Sequence, residues 1–292
     1  MMTKEAYAKI NLLLDVRGLR EDGYHEVAMV MQTIGLCDTV TVTRRPDDMV
    51  AMTIAFEDNY RAPEELLKAD EDNLCIRAAK LMMAEGSLGG GYDIALTKRI
   101  PVGAGLAGGS TDAAAVLRAI NEMEGLTYSD EDLCRLGGTL GADIPYCILG
   151  GTKYAAGTGT TLSEAPACPK LFLVLIKPQA SMPTGKIYHD FDAMTKPLHP
   201  DMEAMKRALE GGAAEEVADA LGNSLEPVVA AQFPVIGELK ETLKETGAYN
   251  AMMTGSGSCV YGIFGSEEKA METEEMLRVK YPEMFVYVTK TM

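Results

Sequence analysis

The sequence predicts an α+β protein built from two domains. The chain has 292 residues, which is more than a single domain of average size needs. Segments in which apolar residues alternate as they do in strands dominate the first hundred residues, and helical patterns follow them. Beyond residue 150, strands and helices alternate again. We therefore predict an N-terminal domain over residues 1–160 and a C-terminal domain over residues 161–292.

The N-terminal domain is predicted to contain strands followed by helices. Apolar alternation and β-branched residues predict strands near 5–15, 27–34, 38–44, 49–56 and 92–98. Helical spacing predicts helices over 73–85, 110–124 and 129–140. Asp72 and Asn73 open the first of these helices and suit a helix N-terminus, and Gly125 separates the other two.

After residue 150 the pattern changes. The segment GGTKYAAGTGTTL reads as a turn-rich hairpin, and LFLVLIK reads as a buried strand. Helical stretches are predicted over 184–192, 201–221, 226–246 and 267–279. Further strands are predicted near 250–253, 259–264 and 284–289.

Composition and charge exclude several classes of function. The formal net charge of −16, with no dense basic run, argues against a nucleic-acid partner. The longest apolar runs, such as LFLVLI, are far shorter than the roughly 20 residues that span a membrane. The six cysteines are scattered without metal-ligand or redox spacing, which favours a reduced, cytoplasmic setting. An anionic substrate would therefore need a local positive site on an acidic protein.

The stretch PVGAGLAGGSTDA, residues 101–113, is the main candidate for such a site. It places four glycines just before a predicted helix. Glycine lets the backbone approach a ligand closely, and a helix N-terminus offers unpaired N–H groups and partial positive charge, so the pair suits a phosphate. The alternative is a tight strand-to-helix connection, although such a turn commonly needs only one glycine.

Three familiar phosphate-binding classes do not fit this loop. Gly103, Gly105 and Gly108 match G-x-G-x-x-G, but a dinucleotide fold needs a second parallel strand after the helix, and here another helix follows. In a Walker P-loop read from Gly103, Gly109 stands where the lysine belongs. The H-R-D and D-F-G motifs of protein kinases do not occur in the sequence.

The loop resembles the P-x-x-x-G-L-G-G-G/S-S-S-[ND]-A loop of the GHMP family of small-molecule kinases, named for galactokinase, homoserine, mevalonate and phosphomevalonate kinases. Further blocks occur in the family's order and are similar to those of a member that acts on a cytidine-diphosphate substrate. These blocks are AKINLLLDVRGLREDGYHEV, DNLCIRAA, LGADIPYC and TGSGSCVYGIF. The sequence departs from the family pattern at Ala104 and Ala107, where relatives often have Gly, and at Asp112, where some have Asn.

The resemblance implies a two-domain GHMP kinase fold. Its N-terminal domain is ribosomal-protein-S5-domain-2-like with a left-handed βαβ crossover, and its C-terminal domain is ferredoxin-like. The implied activity is ATP-dependent phosphorylation of an alcohol group on a small cytidine-diphosphate substrate, assisted by Mg²⁺. The alternatives are a kinase of the mevalonate or homoserine type, which lacks the DGYH segment, and a non-catalytic nucleotide-binding relative.

Two residues are expected to carry the chemistry. Asp143 lies in an otherwise apolar segment, where a carboxylate must be paired or must cap a helix, and Pro145 in the next turn fits a cap. The resemblance instead implies that Asp143 is catalytic and accepts the proton of the substrate hydroxyl. Lys9 alternates with apolar residues in the first strand, so it could simply be solvated. The resemblance implies that Lys9 pairs with Asp143 and orients the attacking hydroxyl.

The resemblance also assigns the binding residues. The expected ATP-binding residues are Asn73, Lys98, Pro101, Val102, Gly103, Ala104, Gly105, Leu106, Ala107, Gly108, Gly109, Ser110 and Thr111. The expected substrate-binding residues are Asn11, Tyr24, His25 and Tyr188, with the two tyrosines stacking on cytosine and His25 donating or accepting hydrogen bonds. His189 and His199 show no metal-ligand spacing, and no ligands of Mg²⁺ are assigned.

Overall fold

The computed structural model describes residues 1–57, 67–180 and 183–292. The elements up to residue 150 are β1 (Met2–Leu19), β2 (His25–Arg45), β3 (Val50–Phe56), α1 (Leu74–Glu85), β4 (Gly91–Lys98), α2 (Gly108–Met123), α3 (Asp130–Gly138) and α4 (Ile144–Leu149). Those that follow are β5 (Thr152–Gly157), β6 (Thr161–Glu164), β7 (Phe172–Lys177), α5 (Thr184–Asp192), α6 (Met202–Gly211), α7 (Ala214–Asp219), β8 (Gly222–Asn223), α8 (Glu226–Gln232), α9 (Val235–Glu245), β9 (Asn250–Met253), β10 (Val260–Phe264), α10 (Glu267–Lys280) and β11 (Phe285–Lys290).

The chain forms two compact units. The first unit contains residues 1–8, 36–102 and 107–150, and the second contains residues 9–35, 103–106 and 151–292. The strands β1 and β2 contribute residues to both. These units group residues by contact rather than by order along the chain, so the domain boundary at residues 160 and 161 stays a prediction.

In the first unit, a parallel βαβ arrangement precedes the glycine-rich loop. β3 and β4 pair in parallel and are joined through α1, and β4 also pairs antiparallel with the end of β2. The helix α2 packs on α1 through small side chains, because its sequence DAAAVLRAI buries a run of alanines. Aliphatic side chains from these elements form one core. This core fixes the end of β4 and the beginning of α2, between which the loop runs.

In the second unit, β7, β9, β10 and β11 form an antiparallel sheet in the order β11-β7-β10-β9. Numbered along the chain, this order is 4-1-3-2, which is the strand order of the expected ferredoxin-like domain. β7 is central and pairs with both β10 and β11, which explains its nearly continuous apolar sequence. The first part of β2 pairs with β5, and β1 pairs with the two-residue strand β8.

Two predicted helices are each broken in the structure. The segment 201–221 forms α6 and α7, because Gly212 adopts a left-handed conformation (φ 70°) and ends α6. The segment 226–246 forms α8 and α9, because Pro234 begins the second helix and has no N–H group to continue the first.

Two predicted strands, 27–34 and 38–44, are one strand in the structure. The segment around Gly35 stays extended within β2. Glycine is retained there for a packing reason, since a Cβ at this position would lie 3.2 Å from the Oγ1 atom of Thr289.

The helix α2 begins on a strained residue. Its N-cap, Ala107, adopts a left-handed conformation with φ 58° and ψ 27°, and no side chain caps the helix there. A residue with a Cβ is about 1–2 kcal/mol less stable in this conformation than in a right-handed one. Glycine, which the family loop often has at this position, would avoid that strain.

We expect Ala107→Gly to raise the free energy of unfolding by up to about 1 kcal/mol, because glycine adopts positive φ without strain. Ala104→Gly is the matched control in the same loop. Ala104 is buried and is not among the residues with positive φ, so its replacement should lower stability by about 1 kcal/mol. Urea unfolding of both variants measures the difference. Equal losses of stability would show that the Ala107 conformation is unstrained.

Candidate active site

The start of the glycine-rich loop packs against the block TGSGSC in the second unit. Gly105 has φ 75°, and a Cβ on it would lie 2.2 Å from the carbonyl oxygen of Thr254. No residue but glycine fits there. Two motifs that the sequence singled out, separated by about 150 positions, are therefore in direct backbone contact, and the contact itself requires one of the four glycines.

Three consecutive loop carbonyls accept hydrogen bonds in this unit. The carbonyl of Ala104 accepts from the backbone N–H of Cys259 (3.2 Å), that of Gly105 from the Oγ1 hydroxyl of Thr254 (3.4 Å), and that of Leu106 from the N–H of Lys9 (3.2 Å). The N–H groups of residues 103–106 donate to no acceptor among the residues that the structure describes. The loop thus binds the protein through its carbonyls and leaves its amides available to an anion.

Lys9 and Asn11 lie directly beside this part of the loop. The Nζ atom of Lys9 donates to the Oδ1 atom of Asn11 (2.6 Å), and the backbone N–H of Asn11 donates to the Oγ1 atom of Thr254 (3.1 Å). Lys9 is buried, and no carboxylate within the described ranges pairs with it. An amide satisfies a hydrogen bond without balancing charge, so no carboxylate of the described residues neutralises the ammonium group of Lys9.

The remainder of the loop belongs to the first unit. Pro101 is buried and Val102 is partly exposed. Thr111 is the first residue with an intrahelical bond in α2, from its N–H to the carbonyl of Ala107 (2.9 Å), so the amides of residues 108–110 precede the helical ladder.

The two hydroxyls at the start of α2 differ in their use. The Oγ1 hydroxyl of Thr111 donates to the carbonyl of Tyr7 (2.8 Å), so this hydroxyl has a structural role. The hydroxyl of Ser110 has no partner among the described residues and is available to a ligand.

The other two expected ATP contacts have structural partners of their own. Asn73 caps α1: its Oδ1 atom accepts from the N–H of Cys75 (3.0 Å) and its Nδ2 atom donates to the carbonyl of Lys68 (2.7 Å). The ammonium group of Lys98 forms ion pairs with Asp38 and Asp112. Contact between these side chains and a nucleotide stays a prediction.

Asp143 occupies the N-cap position of α4 but does not cap it. Its side chain makes no capping hydrogen bond, although Pro145 lies in the first turn as the capping interpretation expects. No hydrogen bond or ion pair engages this partly exposed carboxylate within the described part of the chain. The capping role that the sequence allowed for Asp143 is therefore not supported by a hydrogen bond.

The DGYH segment forms a turn that holds an aromatic ring outward. Gly23 has φ 82°, and the Oδ1 atom of Asp22 accepts from the N–H of Tyr24 (3.1 Å). Tyr24 is 66% exposed, so its ring is open to a stacking partner. His25 follows it, and its ring centroid lies 4.8 Å from that of Tyr188. The structure thus brings together His25 and Tyr188, which are 163 positions apart.

Sequence reasoning missed two residues of these arrangements. Asp192 lies 2.8 Å from the Nε2 atom of His25, through its Oδ1 atom, and it is four positions beyond Tyr188 on α5. That helical spacing was a usable signal. Asp38, the second partner of Lys98, carried a weaker signal: it is the one acid in the apolar and threonine-rich segment 27–43 of β2.

Comparison with known proteins places these features in a family. The model for the GHMP kinases N terminal domain matches residues 73–151, and that for the GHMP kinases C terminal domain matches residues 202–283. A 4-diphosphocytidyl-2-C-methyl-D-erythritol kinase of Pelotomaculum thermopropionicum is 42% identical over 100% of this chain and 98% of its own. The protein of the same name from Lachnospira eligens is 40% identical over 98% and 97%.

A solved structure agrees with these relatives. The crystal structure of a 4-(cytidine 5'-diphospho)-2C-methyl-D-erythritol kinase is 33% identical to this chain, covers all of both chains and superposes with a TM-score of 0.79. The chain therefore belongs to the GHMP kinase family and, within it, to the family of the 4-diphosphocytidyl-2-C-methyl-D-erythritol kinases. The predicted α+β, two-domain GHMP kinase fold is confirmed.

The contrast between Gly105 and Gly109 tests whether the loop is built for packing or for a ligand. A Cβ on Gly109 would meet nothing closer than the Cδ1 atom of Leu74, at 3.8 Å. We expect Gly109→Ala to leave stability unchanged or raise it by up to about 1 kcal/mol. Its affinity for a non-hydrolysable ATP analogue should nevertheless fall about tenfold or more, because the methyl group occupies the approach to the amides.

Gly105→Ala is the control for the packing role and should lower the free energy of unfolding by at least about 3 kcal/mol. Thermal unfolding and calorimetric titration read the two effects separately. Undiminished affinity in a stable Gly109→Ala variant would support the interpretation of the loop as a tight connection only.

Proposed function

We propose that this chain transfers the terminal phosphate of ATP to the 2-hydroxyl group of 4-diphosphocytidyl-2-C-methyl-D-erythritol, a step of the non-mevalonate isoprenoid precursor pathway. The observation that carries the proposal is that the carbonyls of residues 104–106 accept hydrogen bonds, while the amides of residues 103–106 have no acceptor among the described residues. An unpaired run of amides suits the triphosphate of ATP. The nature of the acceptor rests on the full-length relatives and on the exposed Tyr24 ring.

The proposed nucleotide site consists of the loop from Pro101 to Thr111 and the first turn of α2. Its amides would bind phosphate oxygens, and the positive end of the α2 dipole would favour them further. Asn73 and Lys98 are proposed on the adenine side. Because Leu74 is the nearest side chain to a Cβ on Gly109, the beginning of α1 lies beside the loop, which supports this assignment of Asn73.

Mg²⁺ fits this site as an ion held mainly by the phosphates. No group of three His, Cys, Asp or Glu side chains that could hold a metal occurs in the described ranges. Mg²⁺ usually takes one or two protein ligands and fills its shell with phosphate oxygens and water. The unengaged Ser110 hydroxyl is suited to be one such ligand. When bound, Mg²⁺ neutralises charge on the phosphates, which a protein of net charge −16 otherwise repels.

Lys9 and Asp143 are proposed to act on the acceptor hydroxyl. The hydroxyl oxygen forms a bond to the terminal phosphorus while the bond from that phosphorus to the ADP oxygen breaks, and the hydroxyl proton passes to Asp143. A positive charge without a carboxylate partner suits Lys9 to orient the hydroxyl and to offset the charge of the transferring group. Asp143 is free of a capping bond and so is available for the proton.

The cytidine end of the acceptor is proposed to bind in the second unit. Tyr24 and Tyr188 would stack on the cytosine ring, and His25 and Asn11 would supply hydrogen bonds. The contact between the His25 and Tyr188 rings supports this assignment.

A reduced, cytoplasmic setting is proposed as well, with neither nucleic acid nor membrane as partner. All six cysteines carry free thiols. No helix among the described residues is both long enough and apolar enough to cross a bilayer.

The function is tested by incubating the purified chain with MgATP and 4-diphosphocytidyl-2-C-methyl-D-erythritol in a coupled assay for ADP. Turnover with mevalonate or homoserine instead would assign the chain to another branch of the family, and turnover with none of them would support a non-catalytic relative.

We expect Asp143→Asn to lower kcat by about 10²–10⁴-fold, since the amide cannot accept the proton. Its affinity for an ATP analogue should remain close to that of the wild type, and a fully active variant would remove Asp143 from the mechanism.

Removing the Tyr24 ring should affect one substrate only. We expect Tyr24→Ala to raise KM for the cytidine substrate about tenfold, which corresponds to the loss of one stacked ring. KM for ATP should not change, and the exposure of this ring predicts unaltered stability. Tyr24→Phe keeps the stacking surface and serves as the control. Steady-state kinetics with each substrate varied in turn would reveal a mistaken assignment as equal KM values for all three proteins.

A further inference from the structure

Three charged side chains form a buried cluster in the first unit. Asp38 is 0% exposed, and Lys98 and Asp112 are each 1% exposed. The Nζ atom of Lys98 contacts the Oδ2 atom of Asp38 and lies 2.8 Å from the Oδ2 atom of Asp112. These residues come from β2, from the last position of β4 and from the first turns of α2. We call them the buried charge cluster.

Asp38 fixes the chain where it enters the glycine-rich loop. Its second oxygen, Oδ1, accepts from the backbone N–H groups of Arg99 and Ile100, the latter at 2.8 Å. These two residues lie between β4 and Pro101, the first residue of the loop. The carboxylate of Asp38 therefore binds the backbone just before the loop through Oδ1 and the ammonium group of Lys98 through Oδ2.

Lys98 connects this entry to the beginning of α2. Its Nζ atom reaches Asp112, and a Cβ added to Gly108 would lie 3.1 Å from the same Nζ atom. Gly108, the first residue of α2, thus packs directly against the ammonium group of Lys98, and a side chain at this position would leave too little room. The buried charge cluster therefore contacts the chain on both sides of the loop: at Ile100, just before it, and at Gly108, where α2 begins.

Burial of the cluster favours the neutral form of one of its two carboxyl groups, that of Asp112. With every member ionised, one cation would face two anions in the core. Burial raises the pKa of Asp112 well above its usual range, against the opposing effect of Lys98. The Oδ1 atom of Asp112 also has no hydrogen-bond partner within the described part of the chain, whereas both oxygens of Asp38 are engaged. A proton on Asp112 therefore leaves the cluster neutral, with Asp38 as the counter-ion of Lys98.

This arrangement changes the role expected of Lys98. Burial by itself lowers the pKa of this lysine, but the two carboxylates outweigh it and hold the pKa above its usual value. Its charge is balanced inside the core, so the contribution of Lys98 to ATP binding comes through the position of the loop rather than through a free charge. Among the described residues, by contrast, the ammonium group of Lys9 has only the neutral amide of Asn11 as partner.

We propose that Asp38, Lys98 and Asp112 are positioning residues for the phosphate-binding loop, setting the separation between Ile100 and Gly108 and so the direction of the amides at the start of α2. The inference rests on the proposed function in taking ATP as the ligand of those amides. It makes none of the three a catalytic residue, since each acts through the backbone of the loop.

The test compares the affinity for a non-hydrolysable ATP analogue with KM for the cytidine substrate. In Asp38→Asn the buried ammonium group loses its counter-ion, and we expect the dissociation constant of the analogue to rise on the order of 10–100-fold through misplacement of the amides. KM for the cytidine substrate should change by less than about twofold, because the cluster acts on the ATP loop. A smaller fraction of folded protein would change neither this KM nor the dissociation constant of the analogue. Affinity for the analogue within about twofold of wild type in folded Asp38→Asn would reduce the cluster to a core feature and overturn the proposal.

The proton on Asp112 is tested by a conservative pair. An amide has nearly the shape of a protonated carboxyl, so Asp112→Asn should weaken analogue binding far less than Asp112→Ala does. Equal losses in the two variants would overturn the assignment of a neutral Asp112.

Two further variants keep the test decisive where a single substitution prevents folding. The double variant Asp38→Asn, Lys98→Met removes the ion pair and leaves the core neutral, so it should fold and still bind the analogue at least about tenfold more weakly. Ile120→Ala, a truncation in the same helix far from the loop, should lower Tm without changing analogue affinity. Calorimetry with the analogue does not depend on which alcohol is phosphorylated, so a chain inactive on the proposed acceptor would still reveal whether the cluster positions the loop.

Discussion

The constraint on which the site depends is that a glycine-rich loop must be held in place while its backbone amides stay open to a ligand. In the second unit this is achieved through the loop carbonyls, which accept hydrogen bonds from Cys259, Thr254 and Lys9. In the first unit it is achieved through Asp38 and Lys98, which bind the backbone before the loop and support the beginning of α2. Because these bonds use loop carbonyls, or amides that lie before the loop, the amides of residues 103–106 remain without an acceptor among the described residues. A loop held in this way is suited to an anion before any anion binds.

The acidic composition is compatible with phosphate chemistry because the positive charges are distributed unevenly. Two buried lysines of the N-terminal half illustrate the difference. Lys98 contacts Asp38 and Asp112, so it contributes structure, whereas the ammonium group of Lys9 is hydrogen-bonded to the amide of Asn11. The same net charge of −16 that argues against nucleic acid therefore says little about the local field at the loop. Local pairing, rather than composition, decides which cations can take part in catalysis.

The sequence predicted most elements of the fold but not how they are interrupted or joined. Helix α1 and the edges of β4 follow from local pattern, since caps and apolar spacing are properties of neighbouring residues. The break at Gly212 was missed because a glycine within a helical pattern is tolerated about as readily as it ends a helix. The continuity of β2 was missed because Gly35 looked like a break between two strands. The glycine is explained instead by close packing against Thr289, which lies at the other end of the chain.

By itself, the sequence determined the glycine loop, the order of the family's motifs and the candidate residues Lys9, Asp143 and Tyr24, because residue types and spacings are written along the chain. Only the tertiary structure decided what each of them contacts. It showed that Gly105 is required by the carbonyl of Thr254, and that Asp143 is not engaged as a helix cap. It also showed that a lysine expected near ATP is neutralised by Asp38, sixty positions away. Burial and pairing depend on distance in space, and contacts between residues as far apart in sequence as Lys98 and Asp38, or His25 and Tyr188, follow from no local pattern.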